Sequence, residues 1–391
     1  MQPSARTSDY VPSLDGMRAI SILLVFLAHF GFGIAPGIFG VTIFFFISGY
    51  LITGLLLTEL SGSGTIALGA FYVRRMLRLF PALLVMAAVS AVVFPLIGGI
   101  MTVGDMVGAL LYLANYWPSL TGGFDAGTPH GIHPFAVLWS LAVEEHYYLV
   151  FPMLCLLFGG RTLRFAAIIL GLIVVVTVWR FHVAAGCAVS GCPNLWIEHA
   201  TDTRADSIFY GALLATLMAS PWQPRVLAAT ANVPAFAAGM LLLLASLLIR
   251  DPWFRDTWRF SVQGIGLFLA VPAILNCGSL LVVRHALSLR PVLLVGRWSY
   301  SLYLWHWVVA SVCSMVLPVW LWMPVIEPHA FPPAWWMLRV FLPAAVASLS
   351  LAAASYYGVE RPMVRLRRRF GSHAVADRTE RGRAAVEAPA S

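Results

Sequence analysis

Ten stretches of about twenty apolar residues divide this chain, at 14–33, 39–59, 79–98, 135–158, 165–183, 205–220, 233–249, 261–277, 291–317 and 338–358. A bilayer core of about 30 Å is crossed by roughly 20 helical residues. In hydrocarbon every backbone N–H and C=O must be satisfied within the protein, which leaves helices or closed barrels. Continuous apolar runs of this length specify helices. Only 11% of the residues are charged and 60% are hydrophobic, against about 25% charged in soluble domains. The sequence therefore predicts an all-α integral membrane protein, a bundle of about ten transmembrane helices occupying residues 14–364. Residues 1–13 form a short polar lead. With no small-residue cleavage site after it, the first run is expected to be a retained helix rather than a signal peptide.

All 25 basic residues are arginine, and the formal charge is +8. In a soluble protein that balance would suggest nucleic acid. Here the arginines sit in short connections and in the tail, where they act as topology signals, so no nucleic-acid partner is expected. If the N-terminus is inside, the outer segments hold only Arg180, Arg204, Arg250, Arg255, Arg259 and Arg339, and both termini are cytoplasmic. Residues 103–120 are apolar enough for an eleventh span. Such a span would turn Arg365, Arg367, Arg368 and Arg369 outward, so the stretch is expected to be a re-entrant or interfacial helix in an outer loop at 99–134. The tail at 365–391 is basic, polar and expected to be disordered.

Cys155, Cys277 and Cys313 lie in or beside apolar runs and are expected to pack as small hydrophobes. Cys187 and Cys192 share an outer connection, where an oxidising compartment permits a disulfide. Neither a CxxC spacing nor a ligand cluster is present, so no metal is expected.

The chemistry is concentrated in ionisable residues inside apolar runs, which are functional candidates by default. Arg18 and His29 are eleven residues apart, about three helical turns, roughly 16 Å along the axis with about 20° of angular drift. They share one stripe of one helix. Arg75 and Arg78, a turn apart near the inner face, suit phosphate through the planar guanidinium fork. The fourth run carries Trp139, Ser140, Glu144, Glu145 and His146. By span counting Glu145 and His29 meet near mid-membrane, where a carboxylate accepting one imidazole N–H would leave the other nitrogen as a base. Ser48 and Gly49 fit close helix packing as well as catalysis. Arg204 and Asp206, opening the sixth run, could simply neutralise each other. Tyr300 and His306 lie in an aromatic segment that suits either an interface anchor or a substrate platform.

These residues fall in an order that resembles acyltransferase family three, the bacterial integral-membrane O-acyltransferases of surface polysaccharides, lipopolysaccharide and some antibiotics. The likeness runs over about residues 10–365. It is carried by Asp15-Gly16-x-Arg18 with His29, by Ser48-Gly49-Tyr50, by Arg75-x-x-Arg78-x-x-Pro81 and by Trp139 followed by Glu144-Glu145. Arg204-x-Asp206, Ser299-Tyr300 through His306 and Glu360-Arg361-Pro362 complete it. The chain departs from the family at His146-Tyr147-Tyr148, where Gln-Phe-Tyr is frequent. The resemblance implies a multi-pass protein of the bacterial inner membrane that moves an acyl group, acetyl in the first instance, from acyl-CoA to a hydroxyl of a carbohydrate or glycolipid. It implies acyl-CoA as co-substrate, with no tightly bound cofactor. His29, Glu144 and Glu145 become the expected catalytic groups, and Arg18, Arg75, Arg78, Ser48, Trp139, Arg204, Asp206, Tyr300 and His306 the expected substrate-binding groups. Some members carry an esterase-like domain after the last span. Without one, action alone or with a separate periplasmic acyl-carrying or transferring protein is expected. Direct transfer is the leading mechanism, with an acyl-enzyme on Ser48 or Ser140 as a variant. A proton-coupled transporter or flippase of a glycan or lipid is the alternative, since buried Arg, His and Glu also build proton relays.

Overall fold

A computed structural model describes residues 11–118, 132–190, 195–318 and 332–367 of the chain. Among them there is no β-strand. Each predicted apolar run lies on a helix: α1 Pro12–His29, α2 Gly37–Ser63, α3 Leu68–Leu96, α4 Trp139–Phe158, α5 Thr162–Ser190, α6 Thr201–Met218, α7 Val233–Leu248, α8 Trp258–Asn276, α9 Arg290–Val316 and α10 Ala334–Leu366. Among the described residues, seven helices are long and apolar enough to cross a membrane. The number rises to nine if two bent pairs, Gln223–Thr230 with α7 at 71° and Gly278–Leu287 with α9 at 64°, each make one span. Helix α6, with Asp202, Arg204 and Asp206 in its first two turns, is not in that set.

The stretch apolar enough for an eleventh span does not form a continuous helix over its described residues, 103–118. Its helix, Val103–Leu110, has 8 residues, about 12 Å of rise, too short to cross hydrocarbon. Thr102 and Asp105 close its N-terminus as a capping box, and Tyr112, at φ 57°, turns the chain away after it.

Without a hydrophobic drive between helices in lipid, close backbone approach has to come from small residues. The most extensive pairing, α2 against α6, shows this. A Cβ on Gly49 would lie 2.0 Å from the Ile208 carbonyl oxygen, and one on Gly211 1.9 Å from that of Phe46. The same device joins α9 to α1, where a Cβ on Gly296 would lie 2.1 Å from the Asp15 carbonyl oxygen. Neighbours then run in the order α10, α9, α1, α2, α6, α5, with α7 and α8 paired and α8 leaning on α6. Helix α5 exposes Leu170, Val174, Val175 and Val178 outward, a surface suited to lipid tails rather than water.

Helix α10 contains two π-helical turns, Met337–Phe341 and Tyr356–Glu360. Cys155, Cys277 and Cys313 are free. Cys187 is disulfide-bonded, and Cys192, its expected partner, lies outside the described residues, as does the tail beyond Arg367.

Candidate active site

A cavity of about 710 Å³ is enclosed by α1, α2, α3, α4 and α9. Arg18 enters it from α1, Arg75 and Arg78 from α3, Ser48 from α2, Glu144 from α4 and Tyr300 from α9. Five of the ten helices thus bring six of the expected site residues to one void. Arg75 lies over the Tyr148 ring, 4.1 Å from its centroid. The Ser48 hydroxyl donates to a Glu144 carboxylate oxygen, and the Tyr300 hydroxyl donates to the Leu79 carbonyl at 2.7 Å. Arg18 makes no hydrogen bond or ion pair with any described residue, so its five donors face the cavity unclaimed.

The far end of the cavity is a wall. Tyr303 donates to the Val137 carbonyl and accepts from the Ser140 hydroxyl at 2.9 Å. Behind it stands a pair of histidines. Nδ1 of His29, the last residue of α1, lies 2.8 Å from Nε2 of His306 on α9. The ring planes are parallel within 2° with centroids 5.1 Å apart. With nitrogens so much closer than centroids, the rings meet edge to edge, as an in-plane N–H···N bond requires. His306 is fully buried, whereas His29 is partly exposed beside the Trp307 ring, 4.4 Å away. Neither histidine lines the arginine cavity, whereas Tyr303 does, and its ring centroid lies 6.1 Å from that of His306.

This corrects the expected carboxylate–histidine contact. His29 is bonded to His306, and neither Glu144 nor Glu145 reaches it. One Glu145 carboxylate oxygen is instead buried without a hydrogen-bond partner among the described residues. The Arg204–Asp206 neutralisation that the sequence allowed is also replaced. Asp206 pairs with Arg180 at 2.8 Å, both fully buried. The Arg180 guanidinium also donates to the Thr257 and Thr203 carbonyls and to the Ser261 hydroxyl. Arg204 donates to the Glu198 carbonyl and to Thr42 and lies over the Phe260 ring at 3.9 Å. Trp139 sits 5.6 Å from Arg204 and stacks on His199. Arg204, Asp206 and Trp139 therefore belong to a separate charged cluster. At its edge burial acts to raise the Glu198 carboxyl, but Arg259, 2.8 Å away, holds it below the usual carboxylate range. Burial lowers His199 to about 4.

Residues 11–356 match the family described as the acyltransferase domain. The chain belongs to that acyltransferase family. The chain is 32% identical over 329 residues to the peptidoglycan O-acetyltransferase OatA of Listeria monocytogenes, a match covering 79% of its own length and 51% of the relative's. It is 30% identical over 317 residues to the O-acetyltransferase OatA of Staphylococcus aureus, covering 76% and 50%. The chain thus spans about half the length of these curated relatives. No solved structure matches it.

Three groups that lie in motifs of the sequence were given no role from it. Tyr303 forms the wall, Trp307 flanks His29, and Glu360 accepts from Ser301. The signal for the first was present, because Tyr300, Tyr303 and His306 recur at three-residue spacing, one face of a helix. Glu360 was visible in the Glu-Arg-Pro motif but had no visible partner.

Proposed function

We propose that this acyltransferase is an O-acetyltransferase of the bacterial inner membrane, taking an acetyl group from cytoplasmic acetyl-CoA and delivering it to a hydroxyl of a carbohydrate or glycolipid acceptor, in the manner named for its peptidoglycan-acetylating relatives. In this reading α6 is the tenth span, both termini are cytoplasmic, and the arginine cavity opens inward. The observation that carries it is the convergence of Arg18, Arg75 and Arg78 from two helices on one cavity that ends beside the His29 pair. Forked, permanently charged donors are what coenzyme phosphates require. The roughly 16 Å from Arg18 to His29 along α1 suits an extended thioester arm. The Tyr303 wall must swing aside for the thioester to reach His29. There His29 Nε2 takes the acceptor's hydroxyl proton, the oxygen attacks the thioester carbonyl, the C–S bond breaks, and the thiolate departs with that proton.

The test is turnover of purified protein in nanodiscs with radiolabelled acetyl-CoA and peptidoglycan fragments. Label on the fragments with stoichiometric CoA release is expected. His29→Ala should lose roughly 10² to 10⁴ in rate, the usual contribution of a general base, while remaining folded. Near-normal turnover in that variant would overturn the base assignment. Uptake of glycan into proteoliposomes without CoA release would favour a transporter instead.

A further inference from the structure

We infer that His306 is the positioning residue for His29: it holds His29 in the tautomer that leaves Nε2 free, the task a carboxylate performs in many hydrolases. This rests on the reading of His29 as the base and adds the group that prepares it.

The polarity of the pair follows from one contact. His306 Nδ1 lies 2.9 Å from the Leu302 carbonyl oxygen. A carbonyl only accepts, so the His306 proton is on Nδ1. A neutral imidazole has one N–H, which leaves His306 Nε2 with a lone pair. The hydrogen in the 2.8 Å contact between the rings must then come from His29 Nδ1. His29 has now used its only N–H, and its Nε2 is unprotonated and ready to accept.

Two features suit this arrangement to its place. A carboxylate deep in a membrane protein costs at least a few kcal/mol, whereas a neutral imidazole accepts the same hydrogen bond with no buried charge. When His29 takes a proton at Nε2, its Nδ1–H bond to His306 is unchanged, so one geometry serves both states. The ring of His306 is fixed from several sides. Its own helix binds Nδ1, and the Phe26 and Tyr303 rings flank it at centroid distances of 6.0 and 6.1 Å. Trp307 packs on His29 and is itself anchored by its indole N–H to the His133 carbonyl at 2.8 Å. The joining of α1 to α9 does not depend on the histidine pair, because the Gly296–Asp15 crossing already brings their backbones together.

The experiment compares His306→Phe, which removes the acceptor, with His306→Gln, whose amide oxygen reaches the position of Nε2. Full-length protein in nanodiscs is used throughout. Expected for His306→Phe is a fall in kcat of about a hundredfold or more, inside the range of a whole general base, with the KM for acetyl-CoA unchanged. His306→Gln should recover about tenfold of that loss. Nitrogen-15 NMR of ring-labelled histidine, with the His29 signal identified by its absence in His29→Ala, should place the His29 proton on Nδ1 in the parent and redistribute it in His306→Phe. This spectral arm decides the matter in the parent protein even if His306→Phe fails to insert. The inference is overturned if the parent carries its His29 proton on Nε2, or if His306→Phe keeps the parent's kcat while His29→Ala loses it. Full turnover in His29→Ala would be a different failure, that of the base reading itself.

Discussion

Two sets of arginines lie among the helices, one fully buried and one half-buried at the cavity, and they differ in what their donors do. Arg180, wholly enclosed, spends its guanidinium on Asp206, Ser261 and two backbone carbonyls. Arg18, in the cavity, gives its donors to no described residue, and Arg75 offers its face to Tyr148 rather than its edge to an acceptor. Residue type is the same in both, and both stand among carboxylates and aromatic rings. Saturation separates them: a guanidinium whose N–H groups are consumed by the protein holds helices together, and one whose N–H groups point into a void awaits an anion. The enclosed Arg180 charge is compensated directly by Asp206, whereas half-buried Arg18 has, among the described residues, only the longer-range attraction of Glu144 and Glu360.

The largest effect should come from breaking the saturated set. Asp206→Asn leaves the Arg180 charge uncompensated, and removal of one member of a buried pair costs about 3–5 kcal/mol. Thermal unfolding in detergent should show a large loss of stability, or no folded protein at all. A variant as stable as the parent would remove the structural half of the comparison. Next in size is Arg18→Ala, which should leave unfolding nearly unchanged and weaken acetyl-CoA binding about tenfold to a hundredfold, the worth of one charge-assisted hydrogen bond. Lysine should restore only part, lacking the fork. Titration calorimetry reads this directly, and unaltered affinity in a correctly inserted variant would empty the cavity of its proposed ligand. The smallest effect belongs to Glu59, whose 3.3 Å contact with Arg74 lies at the cavity rim. Glu59→Gln should shift stability by no more than about 1 kcal/mol, as for other solvent-accessible pairs. A loss as large as that of Asp206→Asn would show that the rim, too, is part of the saturated framework.

Most of the helices were legible because a run of twenty apolar residues permits little else, and α6 was legible despite its three charges because its remaining residues kept the pattern. The bends before α7 and α9 were not, since packing rather than local propensity sets an angle between two helices. At the site, periodicity told which residues share a face but not which face they meet. Arg18 and His29 lie on one continuous helix, yet the neighbour of His29 is His306, 277 residues away, rather than the nearer glutamates. Adjacent residues point about 100° apart on a helix, which explains two further divisions. Ser48 faces Glu144 while Gly49 faces α6, and Glu144 lines the cavity while Glu145 does not. No local rule decides which member of such a pair turns inward.

The two π turns of α10 bear on how this site can vary between relatives. Each holds one residue more than an α turn, so everything beyond it is rotated by about 100° relative to a regular helix. The second turn ends on Glu360, whose carboxylate accepts from Ser301. A one-residue deletion there, at Gly358 for example, would restore a better-formed helix and a worse alignment. In this helix, then, length variation is a change of angular register: a gap of one residue in a related sequence would mark a partner exchanged, not merely a loop trimmed.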